Sequence, residues 1–248
     1  MKVEQFTREK IGFAFIHGAG LNSGIWEKVA AGLDNPCLMI DFPLRNGDHE
    51  SARKLSLHDY TAYIQRQLEE WKVEKFIIVA HSLGAIPALR AAAQLRGRLV
   101  GFAAVGAAIP KKSGSFISIL PFPGRIVMPV LLRFFGTRPP ESVIRSSLCS
   151  GLSQKQTEEI VRNFTPESVG VYTGKLDVSV PSVPKLYIKL MEDREFSPSL
   201  QDKMILNFSP QQVKTLNTGH LPMLSDPDGL VKALHGFLAE WIQPNPKS

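Results

Sequence analysis

The sequence predicts one α/β domain: a mostly parallel sheet with helices on both faces, carrying an inserted helical segment. Three observations lead there. Short apolar runs alternate with helix-like segments in the order strand, helix, strand, helix, strand. The runs are continuously apolar instead of alternating, as strands covered on both faces are. One long stretch, residues 111–180, has no strong strand signal. A chain of 248 residues, 44% hydrophobic and 21% charged, is long enough to bury one large core of this kind.

Element by element, Ile11–Ile16 is a strand ending in the glycine turn His17-Gly18-Ala19-Gly20. Trp26–Leu33 suits a helix, Asp34-Asn35-Pro36 a turn, and Cys37–Ile40 the next buried strand. The polar stretch Arg45–Arg53 reads as a loop. Ser56, three residues before Asp59, is the N-cap of a helix over Leu57–Trp71. Phe76–Ala80 is a strand running directly into His81-Ser82-Leu83-Gly84 and the Ala-rich helix Ala85–Leu95. Leu99–Val105 is the next strand, ended by Ala107–Pro110.

From Lys111 to about Val180, prolines and helical fragments take over: Phe116–Phe135, Glu141–Cys149, Ser153–Asn163 and Glu167–Thr173. An excursion this long between strands of one sheet is most often a lid. We therefore expect residues 1–110 and 181–248 to form the core domain and residues 111–180 a helical cap. The sheet resumes at Lys185–Leu190, followed by a helix near Pro198–Asn207 and the strand Gln212–Leu216. The helix Asp228–Trp241 closes the domain, and Gln243–Ser248 reads as a frayed tail.

Several function classes drop out. The net charge of +6 comes from dispersed residues without a basic run, so a nucleic-acid partner is not expected. Met1–Lys10 alternates charged and apolar residues without a cleavage pattern, which argues against a secretory signal. Phe116–Phe135 approaches a membrane span in length. Arg125, Arg133, Gly124 and three prolines interrupt it, so a cap face over an apolar pocket is expected and stable membrane insertion is not. Cys37 and Cys149 form no metal-ligand pattern; a reduced, cytoplasmic protein is the expectation.

The chemistry concentrates at Val79-Ala80-His81-Ser82-Leu83-Gly84-Ala85. A serine between a strand and a helix, with small residues two before and two after, fits a nucleophile elbow. Ala80 stands where the usual pattern has glycine. The plain alternative is that Ser82 only caps its helix. Partners in the order serine, acid, histidine weigh against that. His220 follows the last strand and can act as the base. Glu192, Asp193 and Glu195 follow the strand before it, and Asp193 is the chosen acid. The N–H of Leu83 and that of Ala19 in the glycine turn would bind the oxyanion.

With these residues in place, the chain resembles the α/β-hydrolase superfamily, and within it the small plant methylesterase and hydroxynitrile lyase group with the related bacterial carboxylesterases. The resemblance rests on His17-Gly18-Ala19 with Trp26, on Ala80-His81-Ser82-Leu83-Gly84, on Met191-Glu192-Asp193-Arg194, and on Gly219-His220-Leu221-Pro222-Met223-Leu224. It implies an α/β-hydrolase fold, a triad of Ser82, His220 and Asp193, oxyanion donors at Ala19 and Leu83, and a cap over the substrate. The lyases carry lysine after the triad histidine, where this chain has Leu221, and tend to have cysteine at the position of Leu83. Cyanohydrin cleavage is thereby disfavoured.

The reaction expected is hydrolysis of a small to medium apolar carboxylic ester through an acyl-enzyme on Ser82, with no metal or organic cofactor. His17, Gly18, His81 and Leu221, with Phe116, Leu120, Phe122, Leu131 and Phe134 of the cap, are the expected substrate contacts. The same triad serves C–C or lactone hydrolysis or a lyase step in other proteins, and some members of this architecture are low-turnover receptors. The sequence leaves those readings, and a homodimer, open.

Overall fold

In the computed structural model, which describes residues 10–45, 49–95 and 97–242, six strands form one sheet in the order β2-β1-β3-β4-β5-β6, every pairing parallel. The strands are β1 (Gly12–Ile16), β2 (Cys37–Ile40), β3 (Phe76–His81), β4 (Leu99–Val105), β5 (Lys185–Leu190) and β6 (Gln212–Leu216). The readings of residues 1–9 and Gln243–Ser248 fall outside the described residues.

The centre of the sheet explains the unbroken apolar runs. Along β3, Phe76, Ile78 and Ala80 enter one core layer, Ile77 and Val79 the other, and all are fully buried. β2, by contrast, is an edge strand whose Met39 reaches solvent; the expectation that it is buried fails because only β1 pairs with it.

Helices α1 (Glu27–Ala31), α2 (His49–Arg53), α3 (Leu57–Glu70) and α4 (Ala85–Ala92) follow in chain order. α2 corrects the reading of Arg45–Arg53 as loop throughout. α3 starts at a capping box in which Ser56 and Asp59 exchange side-chain and backbone hydrogen bonds, and it buries Leu57, Tyr60, Ile64 and Leu68. The small residues of α4 let it pack within the same layer.

Between β4 and β5 lie α5 (Phe116–Ile119), α6 (Gly124–Phe135), α7 (Glu141–Val143), α8 (Gln154–Asn163) and α9 (Val169–Thr173). The expected single helix Phe116–Phe135 is two, because Pro121 and Pro123 break the run. α10 (Pro198–Phe208), α11 (Pro222–Ser225) and α12 (Pro227–Phe237) complete the chain. No helix among the described residues is long and apolar enough to cross a membrane.

The segment after β4 is tied to the core through one buried carboxylate. Glu167 accepts from Arg45 at 2.6 Å, from the Tyr60 hydroxyl at 2.9 Å and from the Gly20 N–H at 3.2 Å. The Ser168 N–H in turn donates to Tyr60, and Thr137 donates to the Glu167 carbonyl.

Candidate active site

β1 leads sideways to β2, while its other neighbour in the sheet is β3. The crevice at the carboxyl ends of β1 and β3 is therefore the switch point where open parallel sheets place their sites. The turn His17-Gly18-Ala19-Gly20 leaves β1 there, and Ser82 leaves β3 beside it. Asp193 and His220 come from the loops after β5 and β6, at the same edge.

Ser82 has φ 52°, in the left-handed region that a non-glycine residue occupies only when its surroundings force it. Two close approaches fix the turn. A Cβ at Gly84 would lie 2.2 Å from the His17 carbonyl oxygen, so the position two after the serine must be glycine. A Cβ at Gly18 would lie 2.7 Å from His81 Nδ1 and 2.9 Å from Ser82 Cβ. Ala80, in the other glycine position, is fully buried on β3 in regular register with Ile16 and Ala104, so its methyl fits.

The Ser82 hydroxyl donates to His220 Nε2 at 2.9 Å, and His220 Nδ1–H donates to Asp193 Oδ2 at 2.8 Å. The other Asp193 oxygen accepts from the N–H groups of Glu195 and Phe196 at 2.8 and 2.9 Å. Asp193 is buried, whereas Glu192 and Glu195 are exposed; the structure brings only Asp193 of the three to the histidine. Burial by itself would lower the His220 pKa, but the Asp193 charge and hydrogen bond outweigh it, and the ring stands above its ordinary 6.5.

Neither of the two other buried histidines hydrogen-bonds Ser82 or Asp193 among the described residues. His81 Nε2–H donates to the His220 carbonyl at 2.8 Å, and burial, then the neighbouring His220, holds its pKa far down, so it stays neutral. His17 donates from Nδ1 to the Gly18 carbonyl and accepts from the Phe42 N–H at Nε2. Burial, followed by the Arg45 charge, lowers its pKa to about 3, so its approach to Asp41 is not an ion pair.

A cavity of about 170 Å³ opens on Ser82 and His220, with Ala19 and Leu83 also in its wall. Leu83 lies in the turn that opens α4, where the first N–H groups have no acceptor within the helix. Of the expected substrate contacts, His81 and Phe116 line it. The others do not. Leu131 and Phe134 are exposed on α6, which turns Met128 and Leu132 inward instead, and Phe122 is exposed in the turn before that helix. Leu120 is half-buried and outside the wall; His17 is packed against Phe42, Gly18 under Ser82 and Leu221 in the core.

Most of the remaining wall was not predicted as such: Met128, Leu132, Ile144, Phe164, Tyr172 and Phe196, scattered over five segments, are part of it. The four-residue interval between Met128 and Leu132 is the one signal a sequence offered for them. A larger hollow of about 690 Å³, with Arg45, Arg53, Arg138 and Arg162 in its wall, contains no triad residue. The hydrogen-bonded series Ser82–His220–Asp193 opens on the smaller cavity instead.

No cluster of metal-ligating side chains occurs among the described residues, and both cysteines are free. The profile of the Alpha/beta hydrolase family matches residues 13–233. Methylesterase 17 of Arabidopsis thaliana is 26% identical, with 89% of each chain covered. Among solved structures, an extracellular alpha/beta-hydrolase from a Paenibacillus species superposes with a TM-score of 0.80 at 15% identity, covering 91% of this chain and 98% of its own. An Arabidopsis methylesterase superposes with a TM-score of 0.74 at 18% identity, covering 91% and 98%. At these identities the structural likenesses speak for the fold.

Proposed function

We propose, for a chain that belongs to the alpha/beta hydrolase family, the hydrolysis of small apolar carboxylic esters by acyl transfer through Ser82. The observation that carries this reading is the unbroken relay from Ser82 through His220 to Asp193 at the wall of an apolar cavity. Ser82 Oγ attacks the ester carbonyl carbon while its proton passes to His220 Nε2. The carbonyl electron pair moves onto oxygen, where the Leu83 and Ala19 N–H groups stabilise it. Asp193 keeps the imidazole in the tautomer that accepts at Nε2 and stabilises the imidazolium.

Collapse of the tetrahedral species re-forms the carbonyl and expels the alcohol, which takes the proton from Nε2. Water then repeats the sequence at the acyl-enzyme and releases the acid. In this reading residues 111–180 act as a cap, with Phe116, Met128 and Leu132 closing over the acyl group. The cavity is smaller than the roughly 300–1,000 Å³ usual for drug-sized ligands, which favours short esters. The likeness to Methylesterase 17 supports a methyl ester in particular. The cavity wall contains no lysine, which weighs against the lyase step.

Replacing Ser82 by alanine should lower kcat on p-nitrophenyl acetate by about 10⁴-fold or more while leaving the circular dichroism spectrum unchanged. A fluorophosphonate should label Ser82 in the unmutated protein. Turnover retained in Ser82→Ala would sink the proposal.

A further inference from the structure

α6 has two apolar sides. Met128 and Leu132 turn toward the Ser82 cavity. On the outward side, Ile126, Val130 and Phe134 recur at four-residue intervals, Val127 and Leu131 lie alongside, and Phe122 and Phe135 extend the patch at either end. Phe135 is 80% exposed, Phe134 73%, Phe122 69% and Ile126 61%. Half of the exposed large apolar side chains among the described residues, seven of fourteen, fall in this one turn and helix. A contiguous patch of this kind marks an interaction surface.

Charge says what covers it. From Lys111 to Pro140 the chain has five cations, Lys111, Lys112, Arg125, Arg133 and Arg138, and no aspartate or glutamate. Arg125 and Arg133 are exposed on α6 itself and make no ion pair among the described residues. An apolar helix face edged by arginine is the pattern that lies in the headgroup boundary of an anionic membrane.

We propose that the outward face of α6 docks reversibly on an anionic phospholipid surface. Its isoleucine, valine, leucine and phenylalanine side chains enter the acyl boundary, and Arg125 and Arg133 meet lipid phosphates. Self-association fits less well. A two-fold contact on this face would set Arg125 and Arg133 against their own copies with no carboxylate in the patch to pair. The stripe also lacks the tyrosine and tryptophan that anchor most protein interfaces. Docking puts the membrane against the same helix that walls the cavity, so an ester dissolved in lipid has a short path to Ser82.

Cosedimentation with vesicles tests this without reading turnover, and it applies equally to Ser82→Ala. The full chain should bind phosphatidylcholine vesicles containing phosphatidylserine about tenfold or more tightly than phosphatidylcholine alone, and lose that preference in high salt. Ile126→Ser/Val130→Ser should weaken binding about tenfold or more, and Arg125→Gln/Arg133→Gln should abolish the preference for phosphatidylserine. Both variants should keep the parent circular dichroism spectrum and its rate on p-nitrophenyl acetate. Failure to bind anionic vesicles, or equal binding by the Ile126→Ser/Val130→Ser variant, overturns the proposal. So does a dimer in light scattering that this variant dissociates, which would give the face to a second copy.

Discussion

A serine held at φ 52° is the smallest feature on which the rest depends. The left-handed conformation lifts its hydroxyl out of the strand direction and into line with His220 Nε2. Removing the strain would therefore remove the alignment. The proposed base, His220, is legible in the same detail. His220 must be neutral to accept the proton, and its pKa stands above 6.5 because Asp193 more than offsets burial. The working form is thus present at high pH and lost as pH falls through that raised value. The acid limb of a kcat/KM profile should have its midpoint above 6.5. Asp193→Asn should drop kcat by about 10⁴-fold and move the limb downward, because the charge that raised it is gone. An unmoved limb would show that another group controls it.

At the scale of elements, the notable device is how the segment between β4 and β5 is fastened. Arg45 before α2, Tyr60 on α3 and Gly20 after β1 converge on Glu167, so three parts of the core hold one carboxylate of the insertion. Glu167→Gln would leave the nearly buried Arg45 guanidinium without its counter-charge. The expected cost is about 3–5 kcal/mol, read as a lower midpoint in urea denaturation. Sequence pattern found the strands and the elbow because each is local: a run, then a turn, then a helix cap. It did not find the Glu167 cluster, whose members lie up to 147 residues apart. It also expected Phe122, Leu131 and Phe134 at the cavity, whereas all three reach solvent. Apolar residues occur on both the inward and the outward side of α6, so apolarity alone does not say which of them faces the cavity. Tertiary packing chose Met128 and Leu132.

The whole molecule keeps its two thiols covered by the same core. Cys149 is buried and Cys37 half-buried, and burial pushes each pKa up to about 11. Both should be slow toward Ellman's reagent in the native protein and react promptly in guanidinium chloride without reductant, giving two equivalents per chain. Fewer than two would indicate a disulfide. The order in which the site's parts occur along the chain has a consequence for synthesis. Ser82 emerges from the ribosome just after the third strand, but the proposed acid and base follow β5 and β6, His220 coming 138 residues later. A chain truncated after β4 has Ser82 but neither the proposed proton acceptor nor the carboxylate that orients it. On the proposed mechanism, a chain that stops before β6 lacks the base and should not turn over p-nitrophenyl acetate.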